Sequence, residues 1–134
     1  MAKAKAIEVQ SGGVLDVEGA STGGIKASGA SQIRICAATM SGAGKLTGTS
    51  GSVVVGDEAG CAGSSFKSGL TVTAGSGAVT VIGDELGAKL TVTHNSGSAT
   101  TVTHNTVGKA LTVTGNSPTV IDTPNSVKGK TKVQ

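Results

Sequence analysis

The chain has no Trp, no Tyr, a single Phe (Phe66) and only two Pro, Pro118 and Pro124. Without large rings, an ordinary globular core loses its bulkiest filling, and a groove for sugars or nucleobases loses its stacking platforms. Charge is also sparse: Lys and Arg total 11 and Asp and Glu total 8, a net of +3, far from the highly charged composition that keeps a chain unfolded. No apolar run reaches the roughly 18 residues that suggest a membrane-spanning helix. The segment from Met1 to Ala6 alternates Lys and Ala and lacks the apolar stretch of a secretory leader, so it reads as a disordered start on a mature domain. Gly is what the chain has in excess, with 22 residues, and Gly tolerates the left-handed backbone of tight corners.

A repeated phrase organises this Gly-rich background. Leu-Thr-Val-Thr occurs at Leu70 to Thr73, Leu90 to Thr93 and Leu111 to Thr114, a period of 20 to 21 residues. A unit this short, made of β-branched residues and closed by Gly or Asn, matches a rung of a parallel β-solenoid. Anchoring each rung on its opening apolar residue gives Ile7, Ile25, Leu46, Leu70, Leu90 and Leu111, then a truncated start at Thr131. Each unit holds two alternating strands and a short third stretch. The expected fold is therefore an all-β, right-handed, three-sided parallel β-helix of about six coils, a single domain over residues 7–134. Alternation predicts inward columns of Leu46, Leu70, Leu90 and Leu111, of Val72, Val92, Val113 and Val133, and of Met40, Phe66, Leu86, Val107 and Val127. Ala27 and Gly48 are expected to take inward positions held elsewhere by Val. Asn95 with Asn116, and Asp84 with Asn105 and Asn125, fall at equivalent corners.

The third coil is longer than the rest because of Asp57 to Gly63, and Cys61 lies in that insertion. Cys36 follows the equivalent strand one coil earlier. Adjacent rungs at one corner bring the two within bonding reach, so a Cys36–Cys61 disulfide is expected. It implies an oxidising compartment and hence a secreted or cell-surface protein.

On the outward side of the first face the alternation places Thr47 and Thr49, Thr71 and Thr73, Thr91 and Thr93, and Thr112 and Thr114. Rungs are about 4.8 Å apart, so these threonines would form a regular two-column lattice. Ice-binding solenoids use Thr-x-Thr ranks of this kind. Thr is equally a favoured residue for the exposed side of any strand. A basic column is also expected, with Lys45, Lys67, Lys89, Lys109 and Lys130 recurring where each turn re-enters the first face. It offers contacts to an anionic cell-surface polymer. Nucleic acid is disfavoured because one Arg and no spare aromatic supply neither forks nor stacking. A solvated corner that keeps rods apart explains the same lysines.

Catalysis finds little support. Asp57, Glu58, Asp84, Glu85 and Asp122 lie near the second corner, yet nothing walls a cleft to hold substrate between two carboxylates. Asp-Glu neighbours fall short of the six to eight oxygens of a calcium site, and His94, His104 and the two Cys lack metal-ligand spacing. The reading is therefore a non-enzymatic protein with no cofactor and no metal. The ends of the rod carry unpaired strand edges, Ile7 to Gln10 and Thr131 to Gln134, which suit end-to-end pairing of the bactofilin type. Lys3, Lys5, Lys128, Lys130 and Lys132 near the ends oppose it at low salt.

The phrases Leu-Thr-Val-Thr-Gly-Asn (Leu111 to Asn116) and Thr-Pro-Asn-Ser-Val (Thr123 to Val127) resemble secreted bacterial right-handed parallel β-helix proteins of unassigned function. So do the Cys-bearing segments Ser31 to Cys36 and Gly60 to Gly63. The resemblance covers residues 25–134 and implies an architecture without naming an activity or a site residue. His94 and His104 stand where that pattern has corner Gly, and Lys89 or Ala110 where it has Pro. With the Lys/Ala start, these departures suit a redesigned relative as well as a natural one.

Overall fold

Alternating apolar and hydroxyl residues fold into short parallel strands in the computed structural model, which describes residues 7–56, 60–97, 99–117, 120–121 (backbone only) and 125–133. The first coil comprises β1 (Ile7–Val9), β2 (Val14–Glu18) and β3 (Ser21–Thr22). The second has β4 (Ile25–Ser28), β5 (Gln32–Cys36) and β6 (Thr39–Met40). The third has β7 (Gly44–Thr47), β8 (Val53–Val55) and β9 (Ser65–Phe66). The fourth has β10 (Leu70–Thr73), β11 (Val79–Ile82) and β12 (Glu85–Leu86). The fifth has β13 (Leu90–Thr93), β14 (Thr100–Thr103) and β15 (Thr106–Val107). The sixth has β16 (Leu111–Thr114), β17 (Val120–Ile121) and β18 (Ser126–Val127), after which β19 (Thr131–Val133) starts a further turn.

Every third strand stacks on the same side, giving one seven-stranded and two six-stranded parallel sheets. The chain is thus a three-sided β-solenoid, and its core is the space between the sheets. Val72, Leu90, Val92, Val102 and Val113 are each at most 1% exposed, and full burial of one such side chain contributes about 1.5–3 kcal/mol. The third side stacks Met40, Phe66, Leu86, Val107 and Val127 in register, the column expected from alternation, and Thr22 extends it into the first coil.

The first side departs from expectation below β10. Leu70 pairs with Gly44, and Val72 pairs with Leu46. Leu46 therefore joins Val9, Ala27 and Val72, while Gly44 takes the place expected for Leu46 in the Leu column. The vacancy over Gly44 is filled by Leu70 of the next coil and Phe66 from the end of its own: a Cβ there would lie 2.8 Å from Leu70 Cδ1 and 3.3 Å from Phe66 Cε2. Ala27 is inward as expected, but Gly48 is not, because it turns the corner after β7 with φ of 67°. Ala74 and His94 take the same left-handed conformation at that corner, with φ of 59° and 57°, an arrangement that non-Gly residues adopt at a cost. Stacked corners also demand close backbone approach. A Cβ on Gly69 would sit 2.6 Å from the Lys89 carbonyl oxygen.

Candidate functional site

Two corners are held by side-chain ladders. At the first, Asn95 Oδ1 accepts from Gly75 N–H at 2.9 Å, and Asn116 Oδ1 accepts from Asn95 N–H at 2.9 Å. Each amide also donates downward, Asn95 to the Val72 carbonyl at 3.2 Å and Asn116 to the Val92 carbonyl at 2.8 Å. At the second corner Asn105 Oδ1 accepts from Asp84 N–H at 2.9 Å, and Asn125 Oδ1 accepts from Asn105 N–H at 3.0 Å. Their amides donate to the carbonyls of Val81 and Val102, at 2.9 and 2.8 Å. These ladders satisfy buried backbone groups that the bending strands leave without a sheet partner.

Asp84 continues the second ladder with a carboxyl in place of an amide. One oxygen accepts from Ser64 N–H at 2.7 Å, and the other, Oδ2, is buried with no partner among the described residues. Asp84 is 2% exposed. Burial pushes its carboxyl up to about 8, and the Ser64 hydrogen bond pulls the other way without cancelling the rise. Asp84 and Glu85 cannot act as a catalytic pair, since Asp84 points inward and Glu85 is exposed on the third side. The other candidate carboxylates, Asp57, Glu58 and Asp122, lie outside the described residues. His94 and His104 occupy different corners, on either side of β14.

Within the insertion of the third coil, the Ala62 carbonyl accepts from Ala37 N–H of the second coil at 2.9 Å. Cys36 and Cys61 are joined in a disulfide with Cα atoms 4.9 Å apart. Both are at most 2% exposed, so the bond fastens the base of the insertion to the preceding coil.

The threonine lattice is smaller than expected. The register of β7 places Thr47 beside Thr73 and puts Lys45 beside Thr71. Thr49 leaves the face altogether: it is 1% exposed, turned into the first corner with Oγ1 unpartnered among the described residues. The outward columns are therefore Thr71, Thr91 and Thr112, and Thr47, Thr73, Thr93 and Thr114. Lys45 and Lys132 bound the first column. Within the second, Thr93 Oγ1 donates to Thr73 Oγ1 at 3.1 Å.

The lysines are rearranged as well. Lys67, Lys89, Lys109 and Lys130 do lie at the corner between the third and first sides, but not in one column. Backbone hydrogen bonding puts Lys67 with Lys128 at the first corner position, Lys109 at the second, and Lys89 with Lys130 at the third. Lys45 is not at the corner; it points outward from β7, directly beside Lys26 of β4. Lys132 takes the same outward position on β19. The described lysines Lys26, Lys45, Lys67, Lys89, Lys109, Lys128, Lys130 and Lys132 thus all lie along one edge of the rod, and all are exposed. None is in an ion pair among the described residues, where both ion pairs belong to Arg34 on the second side, with Asp16 at 3.3 Å and Glu18 at 3.4 Å. Sequence reasoning missed this edge because it sought a single column. The signal that finds it is the backbone register of the corner.

No family model, no curated protein and no solved structure matches the chain. The likeness to secreted bacterial β-helices therefore rests on the phrases quoted above, and no functional residue is carried over from a relative. Among the described residues no helix is long and apolar enough to cross a membrane.

Proposed function

We propose that the protein is a non-enzymatic structural β-solenoid, a stiff scaffold of an oxidising, extracellular setting that self-associates weakly end to end. The observation that carries this reading is the state of the two ends. Among the described residues, strands β1, β2 and β3 at one end, and β17, β18 and β19 at the other, each have a strand partner on one side only, which offers main-chain donors and acceptors to another strand. The charges complement each other on the first side, where the first coil exposes Glu8 and the last turn exposes Lys132, with Lys128 and Lys130 at the adjoining corner. Head-to-tail contact brings opposite charges together, whereas head-to-head or tail-to-tail contact brings like charges together. Lys3 and Lys5 lie outside the described residues. Continuing the columns of the first side sets Lys132 against Glu8 and Val133 against Val9 of the next copy. That sheet has seven strands and the others six, so the face-matched joint closes on one side only and is weak. The Cys36–Cys61 disulfide supports the compartment.

Sedimentation velocity over a wide range of protein concentration tests the joint. Association at high concentration that weakens with added salt and is lost in Lys132→Glu is the expected result. A monomer under every condition overturns self-association.

A second reading, ice binding, is favoured by the in-register ranks Thr71 and Thr73, Thr91 and Thr93, and Thr112 and Thr114. These ranks cover only three rungs, roughly 10 Å from first to last, and the hydroxyl bond between Thr93 and Thr73 occupies part of their capacity for water. Ice-crystal shaping and thermal hysteresis by the purified protein, both abolished by Thr91→Lys, are what this reading expects. Unshaped crystals from the unmodified protein remove it.

A further inference from the structure

The lysine edge has three properties that a merely solvated corner does not require. It is continuous, with an exposed lysine on every turn from β4 to β19. It is also segregated. Of the described carboxylates, Asp16 and Glu18 are held by Arg34 on the second side, Asp84 is buried, and only Glu8 at one end and Glu85 on the third side lie next to the edge. Finally, it is staggered. Lys67, Lys89 and Lys109 occupy three different corner positions on successive turns, so their ammonium groups spread across the ridge. Rungs about 4.8 Å apart place neighbouring lysines within a Debye length of roughly 8–10 Å, so several act on a ligand together.

The chemistry of the edge selects among polyanions. Lysine supplies point charges with no planar fork, which suits a polymer carrying separate, evenly spaced single charges. The only Phe, Tyr or Trp, Phe66, is 1% exposed and inside the rod, and His94 and His104 lie at the other two corners, so no ring on the edge stacks on a nucleobase. No aromatic or exposed large apolar side chain on the ridge is available to enter a lipid surface: the described exposed large hydrophobics are Val14 and Val133, the first on the second side and the second at the rod's end. The corner between the lysines is built of Gly, Ala and Ser, including Gly87, Ala88, Gly108 and Ser68, so the ridge is low and unobstructed along its length.

We propose that this edge is a binding track for a linear acidic polysaccharide whose sugar units each carry a carboxylate. In an extended 1,4-linked polyuronate successive sugars advance by close to the rung spacing and turn their carboxylates to different sides of the polymer, which lysines staggered across the ridge are placed to meet. The contact is made by the side of the rod, and its central lysines are remote from the end-to-end joint.

The test titrates a polygalacturonate oligomer into the full-length protein at salt concentrations from about 20 to 200 mM, with poly(dT) and phosphatidylserine-containing vesicles as parallel probes. The triple variant Lys67→Gln, Lys89→Gln, Lys109→Gln leaves both ends intact, and Arg34→Gln is the control on another side. Binding to polygalacturonate at low salt is expected. The triple variant should weaken it at least tenfold and flatten the slope of log K against log salt by about 2, by analogy with counterion release of about 0.7 per contact on a single strand. The control should match the unmodified protein. No binding by the unmodified protein at the lowest salt, a triple variant that binds equally well, or tighter binding to poly(dT) or the vesicles each overturns the proposal. Polymer binding that survives Glu8→Lys, which sets like charges across the joint, while self-association is lost separates the edge from the ends.

Discussion

Asp84→Asn is expected to stabilise the protein at pH 8 by on the order of 3–5 kcal/mol and to abolish most of its stability change between pH 5 and 8. In the ladder above Asp84, Asn105 and Asn125 accept through Oδ1 and donate through Nδ2 to the carbonyls of Val81 and Val102. The residue in register one rung below Val81 is Val55, so Asn at position 84 would have a matching carbonyl for its amide. The carboxylate has no proton to offer there, and its Oδ2 is buried without a partner among the described residues. The folded carboxyl titrates at about 8, and the unfolded one near 4. Below about pH 4 both states hold the proton and the site carries no penalty. Between about pH 4 and 8 the unfolded chain releases a proton that the folded chain keeps, so stability falls by up to roughly 1.4 kcal/mol per pH unit; above that range the slope vanishes. Glu85 beside it is exposed, and no cation lies close enough to Asp84 to pair with it among the described residues. Urea unfolding at pH 5 and pH 8 checks this. Equal pH dependence in the two proteins would show that position 84 is not the titrating site.

The ladder also shows which features could be read from the sequence. The Asn and Asp residues were placed at their corners correctly because the Leu-Thr-Val-Thr phrase sets a nearly invariant spacing over coils four to six. Below Leu70 that guide fails. Lys45-Leu46-Thr47 looks like Lys89-Leu90-Thr91, yet Leu46 stacks on Val72 and Gly44 stacks on Leu70. A two-residue shift keeps inward residues inward, whereas a one-residue slip would expose them, so hydrophobic alternation cannot detect it. The corner decides the register: the left-handed residue after the first strand is Gly48, stacked on Ala74 and His94, and it draws β7 with it. The same shift takes Thr49 off the threonine face and moves Lys45 onto it. The fate of Asp84 was hidden for another reason. Asp and Asn are nearly the same shape, and only the neighbouring carbonyl geometry shows that a donor is wanted.

Replacing Cys36 and Cys61 together by Ala is expected to cost about 3–4 kcal/mol on the chain-entropy model, and to cost it unevenly along the rod. The bond spans a sequence separation of 25 residues and closes the coils whose packing is thinnest, where Ala27 and Gly44 stand in columns that hold Val, Ile or Leu in the neighbouring coils. In a solenoid each turn is supported mainly by its neighbours, so loss of a local crosslink propagates only as far as the coupling between turns carries it. Hydrogen exchange should therefore rise most in β4, β5 and β8 and least in β13 and β16, where the Asn95–Asn116 amide bond at 2.9 Å continues to tie two coils together. Both cysteines are buried, so the double substitution is a cleaner probe than adding reductant, which must wait for an opening of the loop. A uniform rise in exchange from β1 to β19 would mean that the whole rod unfolds as one unit. In that case the disulfide stabilises every turn equally, and the second-corner ladder couples the insertion to the upper coils.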